Sequence, residues 1–243
     1  MMSLATPAAG VAIEPRPGGG DRELKFSLSE GRVDLVRRLL GTVCRRDTAY
    51  PSALVWTIYY DAPDLRSLAE KLNSDYLKSK VRLRWYSDLD GQVAGTAFVE
   101  VKTRSGTRRA KVRVPAPYPA ETIAGWSLQD ARLLALPNLL RAHGIPVGTG
   151  WQPMLLLRYR RDRFVEPASL ARISLDADIR AMAVNRRFVS TFDDTALGLA
   201  VLEIKGSADQ LPTRLTPLLR LGIRQRSFSK YLAVYQHVAR SIS

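Results

Sequence analysis

Hydrophobic and polar residues alternate along several short segments of the chain. In the clearest of them, residues 80–86 (KVRLRWY), charged residues occupy every second position up to Arg84 and apolar residues lie between them. A period of two is the side-chain period of a β-strand, so the pattern predicts strands with one charged and one apolar face. The pattern recurs in residues 23–25, 98–102, 109–113 and 202–205.

Further strands are predicted from β-prone composition. Residues 54–60 (LVWTIYY) are rich in branched and aromatic side chains, which favour an extended, half-buried backbone. Other strands are predicted at residues 154–164, 171–179 and 200–205, with a shorter candidate at 187–192.

Helical spacing of apolar residues predicts the remaining elements. A helix is expected to start shortly after Ser29, which would cap it, and to continue through Leu40. A second helical stretch covers residues 127–143 and is interrupted at Pro137, because proline cannot donate the helical hydrogen bond. Two further helices are predicted at residues 212–221 and 229–240, and a short helix or loop at 64–73.

The order of these elements limits the fold class. Eight or nine strands occur without regular alternation with helices, which argues against a doubly wound parallel sheet and predicts an antiparallel α+β or barrel architecture. Residues 1–21 are rich in Ala, Pro and Gly and are predicted to be a disordered tail. Residues 22–243 are expected to form one domain.

Charge changes this picture. The 243-residue chain has 37 Lys and Arg against 23 Asp and Glu, a formal net charge of +14. Such an excess favours an anionic partner: nucleic acid, polyphosphate, a nucleotide or an acidic membrane surface. A GC-rich genome also raises arginine content, so composition does not choose among them. Aromatic residues are only 8%, which argues against a nucleic-acid binder that stacks bases between basic residues.

Several function classes lack their sequence signatures. Cys44 is the single cysteine, which excludes an intramolecular disulfide and a cysteine-based metal site, and its apolar neighbours favour a buried inert thiol. No apolar run approaches the roughly 18 residues of a membrane span, and no signal-peptide pattern opens the chain, so we expect a cytoplasmic protein. A glycine-rich P-loop is absent, which argues against a conventional P-loop ATPase.

The charged faces allow two interpretations. Each strand alone could belong to a half-buried sheet whose charged face meets solvent. Exposed strand faces usually carry Thr, Ser, Gln and mixed charges, however, whereas these faces carry mainly Lys and Arg with single glutamates. The alternative is a closed antiparallel barrel of about eight strands, with a charged lumen and helices on its outer face. Confined cations repel one another, so such a lumen requires a bound anion.

Phosphate suits this lumen. Arginine makes paired hydrogen bonds to phosphate oxygens, and lysine supplies a point charge. Glutamates among them would hinder simple anion binding but could hold Mg²⁺ or Mn²⁺ that bridges phosphate oxygens. Glu203 and Glu23 are the candidate metal ligands, although both could instead pair with neighbouring basic groups.

The motifs together resemble the VTC domain, the polyphosphate polymerase branch of the triphosphate tunnel metalloenzyme (CYTH-like) superfamily. Each motif is weak alone, but their order and spacing are specific. Asp21 stands where the wider superfamily has the first glutamate of its Glu-x-Glu-x-Lys signature. The motifs are ELKF (23–26), IYYD (58–61), KVRLRWY (80–86), FVEVK (98–102), KVR (111–113), YRR (159–161), RISLD (172–176), VLEIK (201–205) and SKY (229–231).

The resemblance implies an α+β fold with a basic tunnel that holds a triphosphate or polyphosphate chain. It also implies that Glu203 is the metal-binding glutamate. Arg158 and Arg160 lie on the opposite face of their strand from Arg161 and are expected to be solvated. Lys80 joins the phosphate-binding set because it shares the charged face of its strand. The expected phosphate-binding residues are Lys25, Lys80, Arg82, Arg84, Lys102, Lys111, Arg113, Arg161, Arg172, Lys205 and Lys230.

The implied activity is metal-dependent transfer of the terminal phosphoryl group of ATP, or another nucleoside triphosphate, to inorganic polyphosphate. Such transfer depends mainly on positioning and charge neutralisation. Lys25 or Lys205 would stabilise the attacking or leaving oxygen, and export of product would need a membrane protein as partner. The expected catalytic residues are Lys25, Arg82, Arg84, Lys111, Arg161 and Lys205.

Two rival functions remain open at this point. In the first, the same tunnel hydrolyses tripolyphosphate or a nucleoside triphosphate, with a carboxylate such as Glu100 activating water. In the second, the chain binds polyphosphate without catalysis. The histidines, His143 and His237, lie in helical segments and are expected to be structural.

Overall fold

A computed structural model describes residues 12–15, 22–73, 77–106, 108–189, 196–207 and 210–240. The protein is built on one antiparallel sheet with helices packed against it, an α+β architecture. The strands are β1 Ala12–Pro15, β2 Arg22–Ser29, β3 Arg45–Arg46, β4 Ser52–Asp61, β5 Leu77–Ser87, β6 Thr96–Ser105, β7 Arg108–Pro119, β8 Gln152–Val165, β9 Arg172–Val184, β10 Leu199–Gly206 and β11 Arg224–Gln225.

The strand order brings distant parts of the chain together. The sheet runs β1-β7-β6-β5-β4-β8-β9-β10-β2-β11, and the short β3 pairs with β8. Strands β4 to β7 form a meander, whereas β2 pairs with β10 near the other end of the sequence. In that pairing Lys25 lies opposite Glu203, and Glu23 lies opposite Lys205.

The predicted closed barrel is not confirmed. Within the described ranges, no backbone pairing joins the β1–β7 end of the sheet to the β2–β11 end. The ends approach instead through side chains, because Nζ of Lys102 on β6 lies 3.5 Å from Oε2 of Glu23 on β2. The sheet therefore curls around a cavity without closing its ladder of hydrogen bonds.

The helices cover the outer face of the sheet. Val81, Leu83 and Trp85, the apolar face of β5, are buried in a core that includes Leu133 and Leu140 of the short helices. This arrangement confirms that the apolar face of this strand meets helices, and its charged face therefore points inward. The helices are α1 Val33–Val43, α2 Arg66–Leu72, α3 Ala120–Ala124, α4 Ala131–Ala135, α5 Asn138–Ala142 and α6 Lys230–Arg240, with 3₁₀ helices at Glu30–Arg32 and Thr213–Leu221.

Several local predictions need correction. Ser29 makes no side-chain cap, because a 3₁₀ turn separates it from α1. The strand candidate at 187–192 does not form over its described residues, where the chain makes a turn, and residues 190–192 lie outside the described part. Most of the predicted disordered tail, with Asp21, also lies outside it, but Ala12–Pro15 pair with β7 as a strand. The break at Pro137 is confirmed, since it separates α4 from α5.

Candidate functional site

The inward faces of the strands enclose a cavity of about 710 Å³. Its wall combines β2, β4 to β8 and β10 with the segment 225–230 that leads into α6. Among the described residues of this wall, twelve side chains are basic and three are acidic, so the cavity carries a positive excess. The basic ones are Lys25, Lys78, Lys80, Arg82, Arg84, Lys102, Arg104, Lys111, Arg161, Lys205, Arg226 and Lys230.

Glu100 organises one side of the wall. Its Oε2 accepts a hydrogen bond from Nε of Arg82 at 2.7 Å and lies 2.6 Å from Nη2 of the same arginine, and its Oε1 lies 3.8 Å from Lys111 and 3.7 Å from Arg113. Burial alone would raise the pKa of Glu100, but the positive charges of Arg82, Arg84 and Lys111 outweigh burial and hold this pKa well below its usual range. Glu100 is therefore ionised throughout the neutral range.

A second group of charges lies across the cavity, on β8, β9 and β10. Arg161 donates two hydrogen bonds of 2.6 Å to the fully buried Asp176, and Nζ of Lys230 lies 2.6 Å from the same carboxylate. Glu203 is 3.7 Å from Arg161 and 3.5 Å from Lys230. Burial would raise the pKa of Glu203, but these neighbouring cations and Lys25 hold it well below its usual range.

Lys25 and Lys102 connect the two ends of the sheet. Nζ of Lys25 lies 3.6 Å from Glu23 and 3.5 Å from Glu203. Lys102 reaches Glu23 from the opposite end of the sheet. Burial, together with the like charges of Lys25, Arg82 and Lys205, lowers the pKa of Lys102 to about 8, against the opposing influence of Glu23.

Arg84 differs from its neighbours because its hydrogen bonds go to neutral groups. Its Nε donates to Oγ1 of Thr57 and its Nη2 to the hydroxyl of Tyr159, each at 3.1 Å. Arg84 is only 6% exposed, and no carboxylate contacts it in the described part of the chain. Burying a cation without a directly paired charge is costly, so Arg84 is a ready partner for an anion in the cavity.

The start of α6 forms part of the wall. Nζ of Lys80 donates to Oγ of Ser229 at 3.0 Å, and Lys230 reaches Asp176 from the first turn of α6. The next residue, Tyr231, donates its hydroxyl proton to Asp61 at 3.0 Å. Asp61 also accepts from the backbone N–H groups of Ser67 and Leu68 at the start of α2. This buried carboxylate thus ties α6 to α2.

Most of the predicted phosphate-binding residues meet at the cavity, and two do not line it. Arg113 stands behind Glu100, with its guanidinium carbon 3.4 Å from the centroid of Phe98. Arg172 is exposed at the start of β9. Nine of the eleven predicted residues line the cavity: Lys25, Lys80, Arg82, Arg84, Lys102, Lys111, Arg161, Lys205 and Lys230.

Several residues that build this site have no role that the sequence predicted. Asp176 was part of a motif, but only its register opposite Arg161 on β8 shows that it orients that arginine. Tyr59 and Tyr159 also line the wall, and their alternation with outward residues was the available signal. Arg158 and Arg160 face away, as predicted, and they pair with Asp178 and Asp162 rather than remaining in solvent.

The donor chemistry of the wall fits a divalent cation that is held partly by substrate. Glu23 and Glu203 lie on adjacent strands, both line the cavity, and both contact the same Lys25 ammonium. One or two carboxylates plus phosphate oxygens are the usual ligands of Mg²⁺ in phosphoryl-transfer sites. No group of three or more acidic, histidine or cysteine side chains in the described ranges could hold a metal by itself.

Comparison with known proteins identifies the family. A model of the VTC domain matches residues 21–239, nearly the whole chain. The chain belongs to the VTC domain family. This match confirms the resemblance that the strand motifs indicated. A search of curated proteins found no match to this VTC domain protein.

Comparison with solved structures found matches of low sequence identity. A provisionally assigned adenylate cyclase from Vibrio parahaemolyticus is 13% identical, with a TM-score of 0.46 over 92% of the VTC domain protein and 99% of that chain. Another, from Bacillus halodurans, is 12% identical, with a TM-score of 0.45 over 87% and 95% of the respective chains. No described helix of the VTC domain protein is long and apolar enough to cross a membrane.

Proposed function

We propose that this protein is a metal-dependent polyphosphate polymerase. It transfers the terminal phosphoryl group of ATP, or another nucleoside triphosphate, to a growing inorganic polyphosphate chain in the cytoplasm. The observation that carries the proposal is the composition of the cavity wall: among its described residues, twelve side chains are basic and three are acidic. Membership of the VTC domain family supports the same substrate class. Export of the product would require a membrane protein as partner.

The basic residues bind and align the phosphates. Arg82 and Arg84 project from β5 and Arg161 from β8, on either side of β4. The register of β4 places Tyr59 opposite Arg82, Thr57 opposite Arg84 and Ala53 opposite Arg161. Arginine forks bind phosphate oxygens in fixed directions, so these three side chains can hold donor and acceptor phosphates in line. Alignment and charge neutralisation supply most of the catalysis in phosphoryl transfer.

The lysines act where negative charge develops. Lys25 and Lys205 lie on adjacent strands at the Glu203 side of the cavity, and Lys111 stands beside Glu100. Their ammonium groups stabilise the attacking and leaving oxygens as charge moves between them. Glu23 and Glu203 would hold Mg²⁺ or Mn²⁺, which when bound neutralises charge on the phosphate oxygens.

The state of Glu100 favours transfer to phosphate over transfer to water. Activation of water needs a general base with a pKa near the working pH. Glu100 is the carboxylate considered for this role, yet the positive charges of Arg82, Arg84 and Lys111, with a hydrogen bond from Arg82, keep its pKa well below the usual range. A terminal phosphate is already anionic and needs no such base, so a polyphosphate chain is the better acceptor.

The test is synthesis of polyphosphate by the purified protein. Incubation with ATP and Mn²⁺ should give long-chain polyphosphate that is visible on a gel. Arg82→Ala should abolish the product, because a phosphate-aligning fork is lost. Arg158→Ala, at an arginine whose guanidinium pairs with Asp178 outside the cavity, is the matched control and should retain the product.

The possible outcomes separate the rival functions. Release of free phosphate without long chains would overturn the polymerase in favour of a triphosphatase. Binding of polyphosphate without any turnover would indicate a non-catalytic binder. Full activity of Arg82→Ala, with circular dichroism showing that the variant is folded, would mean that the cavity does not take part in the reaction.

A further inference from the structure

The basic residues do not continue uniformly along the cavity. Tyr86 follows Arg84 on the inward face of β5 and is part of the cavity wall. The guanidinium carbon of Arg163 lies 5.8 Å from the centroid of the Tyr86 ring and 6.0 Å from that of Tyr50. One arginine therefore links a cavity-lining aromatic ring to a second ring outside the cavity.

Tyr50 is solvent-exposed but held in a defined position. Its residue is 69% exposed. Oδ1 of Asp47 accepts hydrogen bonds from the backbone N–H groups of Tyr50, at 2.8 Å, and Ala49, at 3.0 Å. Arg163 donates a hydrogen bond of 3.1 Å to the Tyr50 carbonyl, and the Asp47 N–H donates to the Arg163 carbonyl at 3.1 Å. A large ring is thus presented to solvent by a turn anchored on β8.

A second pair of an arginine and an aromatic ring lies beside β5, on β6 and β7. Phe98 on β6 is opposite Arg84 in the ladder, and the Arg113 guanidinium lies over the Phe98 ring at 3.4 Å. Only the Tyr86–Arg163 pair follows the last phosphate-facing arginines, Arg84 and Arg161, along β5 and β8; the Phe98–Arg113 pair is level with Arg84 and Arg82. The Tyr86 ring, with the Arg163 guanidinium beside it, supplies a flat surface at this end of the wall.

The opposite end of the cavity has different chemistry. Lys78 and Lys80 on β5 and Arg104 on β6 line it, together with Arg226. The strand rise of about 3.3 Å per residue places Lys78 roughly 26 Å from Tyr86 along β5. The cavity therefore has a lysine-rich end and an aromatic end, separated by a distance longer than a triphosphate.

We propose that the aromatic end is a stacking site for the base of the donor nucleotide. In this arrangement the base stacks on Tyr50 and Tyr86 beside the Arg163 guanidinium, and the triphosphate extends toward Arg84 and Arg161. The polyphosphate chain occupies the lysine-rich end, at Lys78 and Lys80. Stacking on aromatic rings and guanidinium planes accepts any base, so ATP and GTP should bind about equally. The site rests on the proposed function, because it assumes a nucleoside triphosphate donor.

The test compares ATP with inorganic tripolyphosphate, which lacks a base, by titration calorimetry. Tyr50→Ala should weaken ATP binding about tenfold, the usual effect of losing one stacked ring, and should change tripolyphosphate binding less than twofold. Tyr86→Phe retains a ring and should retain ATP affinity, whereas Tyr86→Leu should lose it. Tyr118→Ala, at an exposed tyrosine that packs edge-on against Trp126 outside the cavity, is the matched control and should change neither ligand.

The outcomes separate this site from the function on which it rests. If the wild-type protein binds tripolyphosphate but Tyr50→Ala affects both ligands equally, or neither, the stacking site is wrong and the phosphate cavity stands. A wild-type protein that binds neither ligand would overturn the proposed function and the stacking site together. Weaker binding of ATP alone in Tyr50→Ala supports the stacking site.

Discussion

At the scale of single residues, two lysines of the cavity have pKa values that are shifted in opposite directions. The pKa of Lys102 is lowered to about 8 by burial and by neighbouring cations, whereas the contacts of Lys230 with Asp176 and Glu203 overcome burial and raise its pKa above the usual lysine value. Lys102 is thus partly neutral at mildly alkaline pH. A bound phosphate would add negative charge beside it and raise its pKa.

This shift predicts proton uptake on binding. Because the pKa of free Lys102 is about 8 and rises in the complex, tripolyphosphate binding at pH 8 should take up about half a proton at this residue. Affinity should fall as pH rises above 8. Calorimetry in two buffers of different ionisation enthalpy measures the uptake, and Lys102→Arg, which stays charged, should lack this contribution. Identical uptake by the wild type and Lys102→Arg would contradict the assignment.

Glu100 gives a second prediction at this scale. Replacement by Gln removes the negative charge that Arg82, Lys111 and Arg113 share. The free energy of unfolding should fall by about 3 kcal/mol, the low end for a broken buried pair, because a fifth of the Arg82 side chain is exposed. Tripolyphosphate should restore stability more in Glu100→Gln than in the wild type, since it replaces the lost charge.

Urea denaturation with and without tripolyphosphate measures both effects. Glu121→Gln, at an exposed glutamate in the first turn of α3, is the matched control and should unfold like the wild type. Equal stability of Glu100→Gln and the wild type would mean that Glu100 does not balance the basic wall.

At the scale of elements, Asp61 couples α2 and α6 to the cavity. The Tyr231 hydroxyl donates to Asp61, and the preceding residue, Lys230, reaches into the basic wall. Tyr231→Phe removes one hydrogen bond to a buried carboxylate and should lower the free energy of unfolding by about 2 kcal/mol. Because α6 then loses an anchor, tripolyphosphate affinity should also fall severalfold.

Thermal unfolding and calorimetry measure the two effects of Tyr231→Phe. Tyr235→Phe, one helical turn along α6, is the control, because the Tyr235 hydroxyl makes no hydrogen bond with any described residue. An unchanged affinity in Tyr231→Phe, despite lower stability, would show that this anchor supports the fold and not the cavity.

The elements also show which parts of the structure the sequence could predict. Alternation identified β5, β6 and β10, because each has one charged and one apolar face, and the burial of Val81, Leu83 and Trp85 confirms the inward direction for β5. Alternation cannot identify a strand's partners. The opposition of Asp176 to Arg161 depends on two register shifts between β8 and β9, and nothing local in the sequence determines those shifts.

At the scale of the whole molecule, the sequence predicted that the strands enclose a cavity but not how the sheet surrounds it. A closed ladder was expected, but the described sheet ends at β1 and β11, and Lys102 of β6 contacts Glu23 of β2 between these ends. Closure depends on twist and on the pairing of strands far apart in sequence, which neither composition nor periodicity determines. The positive excess of the cavity was predictable, since it follows from the inward faces of the same strands.

The proposed function requires that this cavity is the binding site of a phosphate chain. A crystal structure of the protein grown with tripolyphosphate tests it most directly. We expect density for three linked phosphates between Arg82 and Arg84 on one side and Arg161 on the other. Tripolyphosphate bound only on the outer surface, with these three arginines in contact with protein groups alone, would contradict it.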